Sequence, residues 1–113
     1  MLPDSSMAPK FETNRMKFAD TALLDITREL SGMGASRLTA KIAGGAQMFA
    51  VPAMGSLGNI GDRNIKAVKA ALALLRIPII AEDTGKDYGR TVYFDLTTGI
   101  MKVQSIGKST KEY

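Results

Sequence analysis

The architecture of this chain follows from one segment, Ala40-Lys41-Ile42-Ala43-Gly44-Gly45-Ala46-Gln47-Met48. Its apolar first half predicts a buried strand, and its two adjacent glycines predict a tight bend in which a Cβ is not tolerated. A second segment, Gly58-Asn59-Ile60-Gly61-Asp62-Arg63-Asn64, opens a predicted helix. A strand, a glycine bend and a helix N-terminus can bring backbone N–H groups to a polar site. The same bend also suits a strand that crosses its neighbour closely, which is the commoner use of such glycines.

Length and composition predict one globular domain that covers residues 1–113. The hydrophobic fraction of 45% and the charged fraction of 23% are ordinary for a globular protein. The net charge of +4 is spread along the chain, and the few aromatic residues do not alternate with basic ones. This pattern disfavours nucleic-acid binding. No apolar run has the length of a membrane span and no signal peptide is recognisable, so the expected location is the cytoplasm, without membrane insertion.

The chain contains no cysteine and no histidine. Disulfides and metal sites built on thiolate or imidazole ligands are therefore excluded. The two side chains most often used for nucleophilic and acid–base catalysis near neutral pH are also missing.

Hydrophobic periodicity and turn residues predict an α/β (α+β) fold with helices outside mixed β-sheets. The predicted helices are 17–33 and 59–77, and the predicted strands are 38–43, 79–81, 90–96 and 100–106. Loops are predicted at 5–15, 47–57 and 84–89. A turn is predicted at 97–99 and a polar tail at 107–113. Four strands are fewer than the usual ~5–6 of a sheet, which suggests that part of the sheet is missing.

Side-chain spacing predicts which helix faces are buried. The first helix carries an apolar stripe made of Phe18, Ala22, Ile26, Leu30 and Met33, and Gly34 follows it as a C-terminal stop. The second helix has its stripe at Ile65, Val68, Leu72 and Leu75. Its N-cap is predicted at Asn59, with Asp62 completing an approximate capping box.

Four charged residues are candidates for chemistry, and each has a structural alternative. Lys41 lies in an apolar strand, where a lysine more often sits at an edge or extends to the surface. Glu82 and Asp83 are neighbours on a strand and point to opposite faces, which favours one exposed acid and one acid capping a turn. Arg63 is in the first turn of a helix, where a bond to a backbone carbonyl is favoured over a bound carboxylate. A phosphate-binding loop at the glycine bend is disfavoured, because the bend lacks both the lysine-hydroxyl ending of a Walker motif and the G-x-G-x-x-G spacing.

Several motifs, in order along the chain, resemble the CheD family of chemoreceptor glutamine deamidases. The matching segments are Met1-Leu2-Pro3-Asp4, Phe18-Ala19-Asp20-Thr21-Ala22, residues 40–49, residues 59–64, Ala81-Glu82-Asp83-Thr84-Gly85, Gly89-Arg90 and Thr98-Gly99.

The resemblance implies packed β-sheets with helices outside, related to the cytotoxic-necrotising-factor deamidases. It also implies hydrolysis of selected glutamine side chains on methyl-accepting chemotaxis receptors, without a metal or other cofactor. A cysteine thiolate, a histidine base and an orienting threonine perform this reaction in the family. A CheC-type phosphatase is an implied partner.

None of these three catalytic residues can be assigned to a position of this chain, because the family places them before the Met-Leu-Pro motif. Six motif positions are implied to shape or support the pocket, namely Gly44, Gly45, Ala46, Asn59, Arg63 and Asn64. We expect the chain to be the C-terminal bulk of a deamidase, inactive alone and prone to self-association. The alternative is a non-catalytic module that binds a CheC-type phosphatase or chemoreceptors.

Overall fold

The computed structural model describes residues 1–10, 12–47 and 59–113. The elements of this part, in chain order, are α1 (Ala19–Gly32), β1 (Ala40–Gly44), α2 (Ile60–Leu74), β2 (Ile79–Thr84), β3 (Thr91–Phe94), β4 (Met101–Gln104) and β5 (Lys111–Glu112). Two short 3₁₀ turns precede α1. Ser5–Met7 lies within the predicted loop 5–15, and Arg15–Lys17 begins at the last residue of that loop. The predicted α/β class is confirmed. Beyond Gln47, the predicted loop 47–57 lies outside the described residues.

The strands form two sheets. Strands β1 and β2 are parallel and are connected through α2, with Ile42 opposite Glu82 and Ala43 opposite Asp83. Strands β3, β4 and β5 form an antiparallel sheet in that order. Helices α1 and α2 pack against each other, and α2 also contacts β1 and β2. The parallel pair therefore depends on a helical crossover, as parallel strands require.

The helices begin and end close to the predicted positions. Gly34 follows α1 with a φ of +91°, so the predicted stop is confirmed. Helix α2 ends at Leu74, three residues before the predicted end, because Arg76 already has a left-handed φ of +58°. Both described helices are too short and too polar to traverse a lipid bilayer.

The core is small. Within residues 1–10, 12–47 and 59–113, the buried apolar residues are Phe18, Ala19, Ala22, Leu72, Met101 and Val103. The predicted stripe of α1 is correct for its first turns and wrong further on, since Ile26 and Leu30 are exposed and Met33 is 78% exposed. In these turns Thr27, on a different face of the helix, is half-buried instead. Periodicity identifies an apolar face but not whether a neighbour packs against it.

The C-terminal segment contains a strand that the sequence prediction missed. Residues 107–113 were predicted as a polar tail, whereas Lys111–Glu112 forms β5 against β4. The pairing continues through Tyr113, whose N–H donates to Met101 O at 2.9 Å, while Met101 N–H donates to Tyr113 O at 3.0 Å. The segment has no apolar alternation of its own, so β4 determines this strand by offering its backbone hydrogen bonds.

A buried ion pair links β2 to the antiparallel sheet. The side chains of Asp83 and Arg90 are only 8% and 2% exposed, and Arg90 Nε donates to Asp83 Oδ1 at 2.6 Å. Arg90 Nη1 donates to Gly85 O at 2.9 Å, and the Tyr113 hydroxyl donates to Asp83 Oδ2 at 2.7 Å. Glu82 points away and pairs with Lys69 at 2.9 Å. The predicted opposite faces are confirmed, but Asp83 is a buried ion-pair partner and not a cap.

The surroundings of Asp83 make the free energy of unfolding depend on pH in the acid range. Burial raises the pKa of Asp83, but the hydrogen bonds from Tyr113 and Arg90 outweigh it, so the pKa lies below its ordinary value. A lowered folded-state pKa stabilises the fold above the unfolded-state pKa of about 3.9. This stabilisation is lost as the pH falls through the folded-state pKa.

Replacing Tyr113 by phenylalanine is therefore expected to move the acid unfolding midpoint to higher pH. The variant loses the hydroxyl donor, and the pKa of Asp83 returns toward its unfolded value. Urea unfolding between pH 2 and 7 measures the effect, with Tyr93→Phe, an exposed tyrosine of β3, as the control. Identical acid profiles for Tyr113→Phe and the parent would contradict this role of the hydroxyl.

Candidate functional site

The glycine bend and the first turn of α2 are in direct backbone contact. Gly45 has a φ of +71°, and a Cβ built on it would lie 2.6 Å from Ile65 Cδ1 and 3.0 Å from Gly61 O. A Cβ on Gly61 would lie 2.7 Å from Ala46 O and 2.8 Å from Gly45 C. Both positions therefore require glycine for close approach. The structure thus brings the bend and the helix together, and Gly61, which makes this approach possible, is not among the six candidate residues. The sequence feature that could have identified Gly61 is a glycine in the first turn of a helix, where glycine lowers the helix propensity.

A cavity of about 240 Å³ opens beside this contact, between α2 and the β1–β2 pair. The residues that define its character are Ile42, Gly44, Gly45, Asn64, Ile65 and Thr84. Apolar side chains form most of one wall, while the amide of Asn64 and the hydroxyl of Thr84 supply polar groups. Cavities that bind small molecules combine the same two features, although most are larger, at ~300–1,000 Å³.

Asn64 provides the most informative polar atom of the cavity. Its Nδ2 donates to the backbone oxygen of Met1 at 2.8 Å. Its Oδ1 is buried and has no hydrogen-bond partner within residues 1–10, 12–47 and 59–113. A buried acceptor without a partner costs about 1–3 kcal/mol. Asn64 thus combines a buried acceptor that has no partner in the described part of the chain with a position in the cavity lining.

The amine of Lys41 is engaged elsewhere. Its Nζ donates to Gly99 O at 2.5 Å and to Tyr113 O at 2.7 Å, and the residue is half-buried. The prediction placed this lysine at an edge or at the surface. The edge position is correct, since β1 is an edge strand of a two-stranded sheet, whereas the ammonium group is held by two backbone oxygens and does not extend to the surface. Lys41 thus connects β1 to the antiparallel sheet.

The six predicted site residues divide into two groups. Gly44, Gly45 and Asn64 line the cavity. Ala46, Asn59 and Arg63 are not among its lining residues. Ala46 contributes its carbonyl to the contact with Gly61, and Arg63 N–H donates to Asn59 O at 3.1 Å in the first turn of α2.

The predicted cap of α2 is only partly correct. Asn59 is the N-cap residue, but its side chain makes no capping hydrogen bond. Its φ of −127° and ψ of +34° differ from the extended conformation that directs a cap side chain at the N–H groups of the first turn. Asp62 pairs with Lys66 at 3.0 Å, four residues later on the same face, and so does not complete a capping box.

Among the side chains that line this cavity, Thr84 carries a hydroxyl and Lys41 an amine, and the Lys41 ammonium group already donates to Gly99 O and Tyr113 O. Asn64 and Thr84 are the neutral polar residues of the lining. Hydrolysis of an amide through a covalent intermediate requires a nucleophile beside a base. The chain has neither a thiol nor an imidazole to supply them.

Comparison with known proteins gives one consistent family. The family model described as CheD chemotactic sensory transduction matches residues 1–105. The chain is 52% identical over 114 residues to the "probable chemoreceptor glutamine deamidase CheD" of Moorella thermoacetica, covering 98% of this chain and 68% of that protein. It is 46% identical over 114 residues to the "chemoreceptor glutamine deamidase CheD" of Halalkalibacterium halodurans, covering 99% of this chain and 70% of that protein.

Proposed function

This chain belongs to the CheD family, and we propose that it acts in chemotaxis on chemoreceptors as the framework of a glutamine deamidase. The observation that carries the proposal is the match over residues 1–105, together with 52% identity to a relative named as such a deamidase. The substrate class is a receptor glutamine, whose side-chain amide is hydrolysed to glutamate and ammonia. We propose a cytoplasmic location for the chain, in keeping with the chemotaxis family that its sequence matches.

We assign a supporting role, and no catalytic role, to residues of this chain. Gly44, Gly45 and Asn64 border the cavity beside the bend. Ala46, Asn59 and Arg63 hold the first turn of α2 in position against it. A glutamine carboxamide carries two N–H donors, and Asn64 Oδ1 is an acceptor without a partner in the described residues. A shift of the Asn64 side chain would bring this oxygen to the cavity, which is our candidate for the place where a substrate amide is received, with no metal or other cofactor required.

A second candidate function is a non-catalytic module that binds a CheC-type phosphatase or chemoreceptors. The observation that favours it is the absence of cysteine and histidine from all 113 residues. Both candidate functions include receptor binding. They differ in whether the protein also supports hydrolysis of the glutamine amide.

The chain alone is expected to bind a receptor fragment without releasing ammonia from it. Removal of a nucleophile or a base from such a mechanism lowers turnover by roughly 10⁴-fold or more, and here both are missing. Purified chain is mixed with the cytoplasmic fragment of a methyl-accepting receptor. Calorimetry measures binding, and a coupled assay measures ammonia.

The matched control is the same fragment with its modifiable glutamines replaced by glutamate. Weaker binding of the glutamate form supports recognition of the glutamine amide. Ammonia release above a mock purification would contradict the assignment of a supporting role. Failure to bind either form, together with binding to a CheC-type phosphatase, would favour the non-catalytic module.

A further inference from the structure

The outer edge of the antiparallel sheet is unpaired. Strand β3 stands first in the order β3-β4-β5, and no strand of the described part of the chain lies beyond it. All four of its residues, Thr91–Phe94, are exposed, and none carries a charge. Proteins usually protect such an edge with a charge, a proline or a covering element, because an uncharged free edge pairs readily with another strand.

The apolar face of the sheet continues onto this edge. Val92 lies opposite Val103 and Phe94 lies opposite Met101, so each pair shares one face. Val103 and Met101 are each 3% exposed, whereas Val92 and Phe94 are 44% and 54% exposed. The inner face is thus covered at β4 and left half open at β3. A further strand beside β3 would place its own side chains next to Val92 and Phe94 and shield them from the open side.

Backbone geometry gives the register that such a strand would adopt. Asp95 N–H donates to Ile100 O at 3.0 Å, so the backbone groups of Asp95, and of Tyr93 two residues earlier, face β4. The alternate residues, Val92 and Phe94, direct their N–H and C=O groups to the free edge. An added antiparallel strand must form hydrogen-bonded pairs with these two residues.

We propose that β3 pairs antiparallel with β3 of a second copy of this chain, around a two-fold axis at Tyr93. This register places Val92 opposite Phe94 of the second copy, and all the outward backbone groups of these residues are then paired. The two Tyr93 side chains meet on the other face as a non-hydrogen-bonded pair. An isologous interface needs a self-complementary patch, and an uncharged strand with valine and phenylalanine on either side of its centre is self-complementary.

The contact area implies a weak dimer. Val92, Tyr93, Phe94 and the 90% exposed Leu96 offer roughly 400 Å² per copy. About 800 Å² in total is below the ~1,200–2,000 Å² of stable interfaces, so we expect a weak dimer that dissociates on dilution. The proposal concerns the edge of the second sheet and is independent of the receptor function.

Sedimentation velocity from about 1 µM to 1 mM tests this dimer. Val92→Pro removes an N–H that points outward and leaves the β3–β4 hydrogen bonds in place. Two such bonds are lost per dimer, so dissociation should become at least tenfold more favourable. The matched control is Leu74→Thr, which removes an exposed apolar side chain at the end of α2 and should leave the dimer unchanged.

Single cysteines test the register separately, because the chain contains none of its own. The two Tyr93 Cα atoms of the proposed dimer are about 4.5 Å apart, within the range of a disulfide. Tyr93→Cys should therefore form a covalent dimer under mild oxidation. Phe94→Cys should form at least tenfold less covalent dimer, because the Cα atoms of the two residues 94 are more than about 7 Å apart in this register.

Each alternative outcome overturns the proposal. A parent chain that remains monomeric at 1 mM rejects the second copy as occupant and leaves the edge to a strand of a different protein. A dimer that forms equally with Val92→Pro, or that crosslinks more readily at residue 94 than at residue 93, rejects the pairing at β3.

Discussion

Replacing Arg90 by leucine should lower the free energy of unfolding by about 3–5 kcal/mol. The substitution leaves the buried carboxylate of Asp83 without its cation, and the Tyr113 hydroxyl is then the remaining side-chain donor to Asp83 among the bonds described. It also removes the bond from Nη1 to Gly85 O. Small domains have total stabilities of about 5–15 kcal/mol, so a large part of the stability would be lost. Urea unfolding at pH 7, followed by circular dichroism, measures the change.

Two controls show whether the effect comes from a buried charge. Lys69→Leu breaks the half-exposed pair with Glu82 on the neighbouring strand position, and such pairs contribute about 0–1 kcal/mol. The double variant Asp83→Asn with Arg90→Leu leaves no unpaired charge, and it should be more stable than Arg90→Leu alone. A double variant as unstable as the single one, or a loss below 1 kcal/mol for Arg90→Leu, would contradict the buried pair.

Replacing Gly45 by valine should be the most damaging substitution at the bend, with an expected loss of about 3 kcal/mol or more. The left-handed φ of +71° costs a β-branched residue about 1–3 kcal/mol. The new side chain would also collide with Ile65 and with the carbonyl of Gly61. Overpacking typically adds a further 1–3 kcal/mol. Urea unfolding measures the loss of stability.

Gly107→Val is the matched control for this substitution. Gly107 has nearly the same φ, +74°, but an added Cβ would meet nothing within 4 Å. The difference between the two variants therefore isolates the steric contribution from the backbone contribution. Gly61→Ala, whose Cβ would meet the bend from the other side, should show the steric loss alone. Equal losses at Gly45 and Gly107 would mean that the bend has room for a side chain.

Local signals were enough to predict most of the secondary structure. Gly34 was expected to end a helix and has the positive φ that this requires, and Gly99 in the predicted turn has a φ of +74°. The alternation of residues 90–96 correctly placed Val92 and Phe94 on one face of the sheet. These predictions succeed because a turn conformation or a strand period is encoded within a few residues.

The six candidate site residues remain a prediction, and the structure shows which of them lie beside the cavity. Gly44 and Gly45 were identified because a double glycine after a strand restricts where the backbone can go, and both line the cavity. Asn64 was assigned through the motif that contains it and also lines the cavity. The side-chain cap of Asn59 failed because the backbone at that residue has a different conformation.

The sequence by itself determined the α/β class, the order of the helices and main strands, and the bend at which strand and helix meet. Only the tertiary structure decided the partners of the polar residues and the extent of burial. Lys41 is held by two backbone oxygens from residues 58 and 72 positions away, and Asp83 receives a bond from Tyr113. Strand β5 forms because β4 supplies its hydrogen-bond partners. The apolar residues Ile26, Leu30 and Met33 of α1 are exposed although their spacing predicts burial. Such contacts join distant segments, so no local periodicity can specify them, and they form only when the chain is folded.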